Sequence, residues 1–308
     1  MKIVNTEIKA GQTKQLKLSI AKLISGSKID VPVIVSRAQL AGPTILLMAG
    51  LHGDEINSVD IIRSILANKI NQVQRGTVIC MPIANIFGFI NYSRAVPDGK
   101  DVNRSFPGTL KGSLASQIAY HLRKKILPHC DYIIDFHTGG KSRFNIPQTR
   151  AVLADANCYE LAQAFNAPFN LHSKIIANTL RETAMKLGKT IVVFEGGEAL
   201  RFDANAKNHA ISGVKKVLQH LNMQDFAEKP QPNHVLQHRK WLRAPVAGFF
   251  HSAIEIGQAL KFEQHLGTVT GPLADYKESI NSPKDAYVIS LNNNPMVNRG
   301  DAIIQIAF

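Results

Sequence analysis

Ile45-Leu46-Leu47-Met48-Ala49-Gly50-Leu51-His52-Gly53-Asp54-Glu55 is the stretch on which the reading of this chain turns. A strand-length apolar run ends at Gly50 and feeds straight into a polar turn. Glycine stands between His52 and Glu55, and the tight turn lets an imidazole and a carboxylate three residues apart face one point. That is a metal-ligand geometry.

Working outward, similar apolar runs recur at Gly76–Met81, Tyr132–Phe136 and Lys189–Phe194. They alternate with segments of helical period at Ser58–Asn68, Leu114–Ile126 and Val214–Leu221. Strand–helix alternation predicts an α/β fold, a mostly parallel mixed sheet with helices on both faces. Residues 1 to about 40 read as strands that precede this core, since Gln15–Ile20 alternates and Val31–Val35 is β-branched. Ala84 to Gly112 is a long irregular stretch, and loops of that length in compact domains usually carry function.

A Pro-rich linker at Glu228-Lys229-Pro230-Gln231-Pro232-Asn233 closes this first unit, residues 1–228. Residues 235–308 turn all-β and carry a weak duplication. Arg243–Phe250 aligns with Asn281–Val288, and the turn at Ile256-Gly257 aligns with Arg299-Gly300. Two such halves resemble a biotinyl/lipoyl-type β-sandwich, although no lysine stands in the hairpin context that carries the prosthetic group there. A structural appendage is the expectation, rather than a cofactor carrier.

Two further strands end in candidate site residues. Tyr132-Ile133-Ile134-Asp135-Phe136-His137 runs into Thr138-Gly139-Gly140, and Ile191-Val192-Val193-Phe194 runs into Glu195-Gly196-Gly197. In a parallel sheet such ends share one edge, where the ligand sites of open α/β sheets form. His52, Glu55, His137 and Glu195 are therefore expected to meet. Two histidines and one glutamate leave a fourth zinc position open, the pattern of catalytic zinc, and one zinc ion per chain is expected. Zinc lowers the pKa of bound water toward ~7 and polarises a carbonyl. Glu195 is then the spare carboxylate that can take the water's proton as general base. Taken singly, His52 and Glu55 could be a chance HxxE, His137 a core histidine and Glu195 a turn residue; the conjunction favours the site. Asp135, two positions before His137 and so on the same strand face, is either a partner of that imidazole or a capping residue in the core.

Composition narrows the partners. The 308 residues hold 36 Lys plus Arg against 23 Asp plus Glu, a net charge of +13. The basic residues are dispersed, and the densest cluster, Arg123-Lys124-Lys125, has no aromatic interleaving of the kind a stacking platform needs. A small anionic substrate is expected, with neither nucleic acid nor membrane as partner; a homo-oligomer is compatible. No apolar run approaches the ~20 residues of a spanning helix, and the start of the chain lacks a signal-peptide pattern. Cys80, Cys130 and Cys158 are scattered, which suits buried thiols and a cytoplasmic setting.

The loop Arg94–Gly108 makes a resemblance specific. HGDE, then DVNRSFPG, then DFHTGG, then FEGG, in that order over roughly residues 40 to 220, is similar to the succinylglutamate desuccinylase/aspartoacylase family, itself related to the zinc carboxypeptidases. The resemblance implies that His52, Glu55 and His137 are zinc ligands and Glu195 the general base. It implies that Asn103 and Arg104 grip a substrate carboxylate, a task suited to the planar guanidinium fork. Arg94 falls where the family steadies a developing oxyanion. Arg181 falls where relatives place another substrate-binding arginine, the alternative being a surface arginine at a helix start. The implied activity is hydrolysis of the amide bond of an N-acyl amino acid by zinc-bound water. The rivals are a zinc carboxypeptidase acting on peptides and a nucleic-acid or anion-binding protein that merely keeps the fold. Loops Lys141–Arg150 and Ala199–Asn208 are the expected pocket walls.

Overall fold

The computed structural model describes residues 1–22 and 24–308. A small hairpin, β1 (Lys2–Ile3) and β2 (Thr6–Glu7), precedes the long strands β3 (Thr13–Lys22), β4 (Lys28–Arg37) and β5 (Leu40–Met48). Then follow α1 (Ile56–Ala67), β6 (Arg75–Met81), α2 (Ile86–Ile90), α3 (Leu114–Lys125), β7 (Tyr132–Gly139) and β8 (Arg143–Ala151). Next come α4 (Ala156–Phe165), β9 (Phe169–His172), α5 (Leu180–Lys186), β10 (Thr190–Glu198) and α6 (Ala204–His220). The remainder is β11 (His234–Leu236), β12 (Arg239–Arg243), β13 (Gly248–Ser252), β14 (Ala259–Leu260) and β15 (His265–Thr270), followed by β16 (Lys277–Asn281), β17 (Ala286–Asn292), β18 (Met296–Val297) and β19 (Ala302–Ala307).

The main sheet is mixed. Its centre, in the order β10-β7-β5-β6, is parallel. The flanks are antiparallel: β3 and β4 extend it beyond β6, and β8 lies against β10. Side chains of β5 alternate between two cores. Leu46 and Met48 join α3 and α5 on one face, while Ile45 and Leu47 join α1, α4 and α6 on the other. A strand covered on both faces must be apolar throughout, and Ile45–Met48 is. Helices on both faces follow directly.

Strand β8 forks the sheet. Its first half, Arg143–Asn145, pairs antiparallel with β17, and its second half, Gln148–Ala151, pairs parallel with β9. Pro147 sits between the halves, where a residue without an N–H loses nothing to either ladder. The main sheet therefore continues through β17 into the C-terminal strands.

Those strands show the duplication clearly. Each of β12, β13, β14 and β15 recurs 37 or 38 residues later as β16, β17, β18 and β19. The two sets interlock as β12-β19-β17-β14 and β16-β15-β13-β18, each sheet borrowing from both halves. Pairing Arg243–Phe250 with Asn281–Val288 respects this repeat. Pairing Gly257 with Gly300 does not: Gly257 precedes the third strand of its half and Gly300 the fourth, so that alignment is corrected. A G-x-A turn opens both strands, and the similarity reflects common turn chemistry. Ala84–Gly112 is less irregular than expected, since it contains α2 and a single 3-10 turn at Val102–Arg104. All three cysteines are buried. Among the described residues no helix is long and apolar enough to cross a membrane.

Candidate functional site

The parallel centre brings the strand ends together. Chain leaves β5 at Met48 and reaches His52 through Gly50, whose φ of 61° suits glycine. Gly53 is obligatory for space: a Cβ there would lie 1.8 Å from the Gly88 carbonyl carbon. Glu55 stands at the N-cap of α1 yet makes no side-chain capping bond, because its carboxylate turns toward the histidines. His137 lies within β7, and Glu195 of β10 is its direct partner in the parallel ladder.

His52 Nδ1 lies 2.8 Å from Glu55 Oε1, and His137 Nδ1 lies 2.8 Å from Glu55 Oε2. The two Nδ1 atoms are 3.1 Å apart. All three side chains are buried, and the donor set spans no more than 4.8 Å. Ligands of a tetrahedral zinc with bonds near 2.05 Å stand about 3.3 Å from one another, so this donor set fits one metal ion closely. His137 Nε2 meets Asp135 Oδ2 at 2.8 Å, which fixes Nδ1 as the atom left for a metal. His52 Nε2 lies 3.3 Å from Asp101 Oδ1.

Charge is concentrated here. Burial alone would raise Glu55, but the charges and hydrogen bonds of both imidazoles hold its carboxyl well below the usual range. Burial alone would lower His137, yet Asp135 and Glu55 raise it well above the ordinary histidine value. Asp101 is likewise held far down against its burial by His52 and Arg94. A buried, carboxylate-rich nest with imidazoles that favour positive charge is what a divalent cation would neutralise.

Beside it opens a cavity of ≈ 300 Å³. Arg94 reaches it with Nη1 3.2 Å from His52 Nδ1, while Asp101 Oδ2 accepts from Arg94 Nε and Nη2 at 3.1 and 2.9 Å. Asn103 and Arg104 line the same cavity. Asn103 Oδ1 already accepts from the Leu180 N–H at 2.9 Å, so any role toward a ligand falls to its Nδ2. Glu195 faces in with both oxygens engaged. Oε2 accepts from Asn145 Nδ2 and Oε1 from Arg150 Nη1, each at 2.8 Å. Arg181 is a buried pocket residue at the start of α5, not a surface arginine. Its Nη2 donates to Ser173 Oγ and the Lys174 carbonyl at 3.0 and 2.6 Å.

The walls differ from expectation in one respect. Arg143, Asn145 and Arg150 from the 141–150 segment do line the cavity. The 199–208 segment does not: Ala199–Arg201 border a neighbouring cleft and α6 starts at Ala204, so the chain has turned away. That side is built instead by Arg239, Trp241, Ser290 and Gln305 from the C-terminal strands. A sequence signal for two of these exists. Ser290 and Gln305 are lone polar residues inside the apolar runs Val288–Leu291 and Ile303–Ile306. Asp101 was visible inside DVNRSFPG without an assigned task.

The family model for the succinylglutamate desuccinylase/aspartoacylase catalytic domain matches residues 41–221. The chain belongs to this family. The match contains the three metal-donor candidates, Glu195, Arg94, Asn103, Arg104 and Arg181, whereas Arg239, Trp241, Ser290 and Gln305 lie beyond it. Among curated relatives, N-alpha-acetyl-L-2,4-diaminobutyric acid deacetylase of Halomonas elongata is 34% identical over 192 residues. That alignment covers 59% of this chain and 56% of the relative, so the chain spans little more than half of that protein's length. The family fold extends to the whole chain. The product-bound ectoine utilization protein EutE (DoeB) of Ruegeria pomeroyi superposes with a TM-score of 0.86 at 25% identity, over 97% of this chain and 95% of its own. A family member from Rhodobacter sphaeroides, described as a succinylglutamate desuccinylase/aspartoacylase, gives the same TM-score and identity over 100% and 99%.

Proposed function

We propose that this chain is a zinc-dependent amidohydrolase that releases the acyl group of an N-acyl amino acid. The observation that carries the reading is the buried donor set of His52, Glu55 and His137, with Glu195 directly across the ladder from His137. The curated relative's name, a deacetylase of an N-acetylated amino acid, supports the same reaction class.

His52 Nδ1, Glu55 and His137 Nδ1 would hold the ion, which when bound supplies Lewis acidity toward the amide carbonyl and an acidified water. Arg94, braced by Asp101, sits beside the donor set and can donate to the carbonyl oxygen as negative charge develops there. Asn103 Nδ2 and the Arg104 guanidinium receive the substrate's α-carboxylate at the rim. Glu195 takes a proton from water and returns it to the departing amine. Asn145 and Arg150 hold its carboxylate in place while it does so. A cavity of ≈ 300 Å³ is at the small end of ligand sites, of amino-acid rather than peptide dimensions. The C-terminal strands wall one side, which favours a deacylase over peptide trimming.

A hydrolysis screen of zinc-loaded protein against N-acyl amino acids and short peptides tests this, with Glu195→Gln as control. Release of free amino acid from the former is expected. Turnover that survives chelation, or that peptides alone support, overturns the proposal.

A further inference from the structure

Arg94 borders two cavities. One is the site described above. The other, a cleft of ≈ 720 Å³, is walled by the segments that leave α2, β7 and β10. Hydrogen bonds tie these walls together. The Leu200 N–H donates to the Asp54 carbonyl at 2.8 Å. Asn293 donates its N–H to the Ser142 carbonyl at 2.6 Å and its Nδ2 to Glu198 Oε2 at 2.7 Å. Tyr92, Lys141, Ser142 and Leu200 hold φ of 51°, 40°, 42° and 57°, the left-handed region that favours glycine. Such backbone persists only where its surroundings fix it, and it gathers at ligand sites.

Two acids and two bases line this cleft without pairing. Among the described residues, none of Asp54, Glu198, Lys141 and Arg201 makes a salt bridge. Asp54 is the decisive one. It is 7% exposed, and its Oδ1 is buried with no hydrogen-bond partner among the described residues. A buried carboxylate oxygen left without a donor is destabilising, so this one calls for a ligand group. Arg94 does not serve it, because Asp101 holds Nε and Nη2 while Nη1 lies against His52.

A ligand that answers this lining must carry both signs. An ammonium supplies the donors that Asp54 lacks. A carboxylate takes the guanidinium of Arg201 at two points, with Lys141 as a further cation. An inorganic anion or a bare cation answers only half of the lining. Exposed Tyr92 and Leu200 at the rim offer an apolar side chain some cover.

We infer that this cleft is a second ligand site, separate from the active-site cavity, for a free α-amino acid whose ammonium is held by Asp54 and Glu198 and whose carboxylate is held by Lys141 and Arg201. The site stands on its own charges; its link to turnover rests on the deacylase reading, in which a free amino acid is what the reaction releases. Two features make the link. Asp54 directly precedes the metal donor Glu55, and Arg94 belongs to both cavities. A carboxylate seated in the cleft competes with the amide oxygen for Arg94. The bound amino acid therefore lowers kcat without blocking entry of substrate.

L-leucine is the probe, because its side chain suits Tyr92 and Leu200, and calorimetric titration of the full chain reads its binding. Saturable binding is expected. 4-Methylpentanoate, which lacks the ammonium, and 3-methylbutylamine, which lacks the carboxylate, should each bind about 10-fold more weakly or worse. Glu198 and Arg201 lie outside the active-site cavity. Glu198→Gln and Arg201→Gln should each weaken leucine about 10-fold while Tm and the uninhibited kcat/KM stay those of the parent. Arg104→Gln should leave leucine binding intact. Loss of binding in Arg104→Gln alone would put leucine in the active-site cavity and overturn the inference. No binding, or equal binding of either analogue, overturns it too. Kinetics test the link. With the best N-acyl amino acid of the hydrolysis screen, saturating leucine should lower kcat by about twofold or more at unchanged KM, and Arg201→Gln should escape this at the same concentration. A rise in KM alone is competition at the active site and overturns the link. If no N-acyl amino acid is hydrolysed the deacylase reading fails, while the titrations still decide the cleft.

Discussion

Glu195 enters the cavity with each carboxylate oxygen already accepting a hydrogen bond, one from Asn145 and one from Arg150. It lies outside the metal-donor set, so its proton chemistry and the metal's binding are separable. Glu195→Gln is expected to lower kcat by about 10²–10⁴ while metal content stays at one per chain; kinetics beside elemental analysis check both. Full turnover by the amide would remove Glu195 from the reaction. Asp135 acts through His137, whose Nε2 it holds at 2.8 Å. Asp135→Asn should weaken metal affinity by about 10–100-fold, measured by competition with a chelator. Unchanged affinity would leave Asp135 a core-capping residue. At this scale the sequence is most informative, because ligand-type side chains stand at strand ends. Ser290 and Gln305 are harder to read. A lone polar residue in an apolar run stands out, but what it faces is decided only when the register places it beside a cavity.

At the scale of elements, the site depends on how closely the turn after β5 approaches α2. Gly53 donates its N–H to the Ser93 carbonyl at 3.0 Å, and its missing Cβ is the space that the Gly88 backbone fills. Gly53→Ala must push the 86–93 segment away from His52. A cost of roughly 1–3 kcal/mol or more is expected, seen as a lowered Tm together with weakened metal binding. A variant that melts and binds metal like the parent would show that α2 gives way without disturbing the site. The parallel strand ends were legible because an apolar run leading to a histidine or glutamate of the site occurs three times, at His52, His137 and Glu195. The fork in β8 was not. One segment pairs with two unrelated partners, and Pro147 reads from sequence simply as a strand breaker until both ladders are seen around it.

At the scale of the molecule, the change to all-β texture beyond residue 233 suggests an independent appendage, and the hydrogen-bonding argues for something more integrated. Ser290–Asn292 of β17 pair directly with Arg143–Asn145 of β8, the same segment whose Asn145 holds Glu195. Phe169 and Leu171 of β9 share one apolar cluster with Ile289 and Ala307. Separating residues 1–232 from the rest would expose that cluster and leave an open strand edge on β8, a template for aggregation. Truncation at residue 232 is therefore expected to give an aggregation-prone, inactive chain rather than an opened peptidase. Calorimetry of the full chain should show one cooperative transition, since unfolding of the C-terminal strands strips the wall from the site. Two resolved transitions, with a truncated chain that stays monomeric and keeps hydrolysing small N-acyl amino acids, would show that the tail is dispensable. The stretch of cavity wall built by Arg239, Trp241, Ser290 and Gln305 would then be unnecessary for turnover.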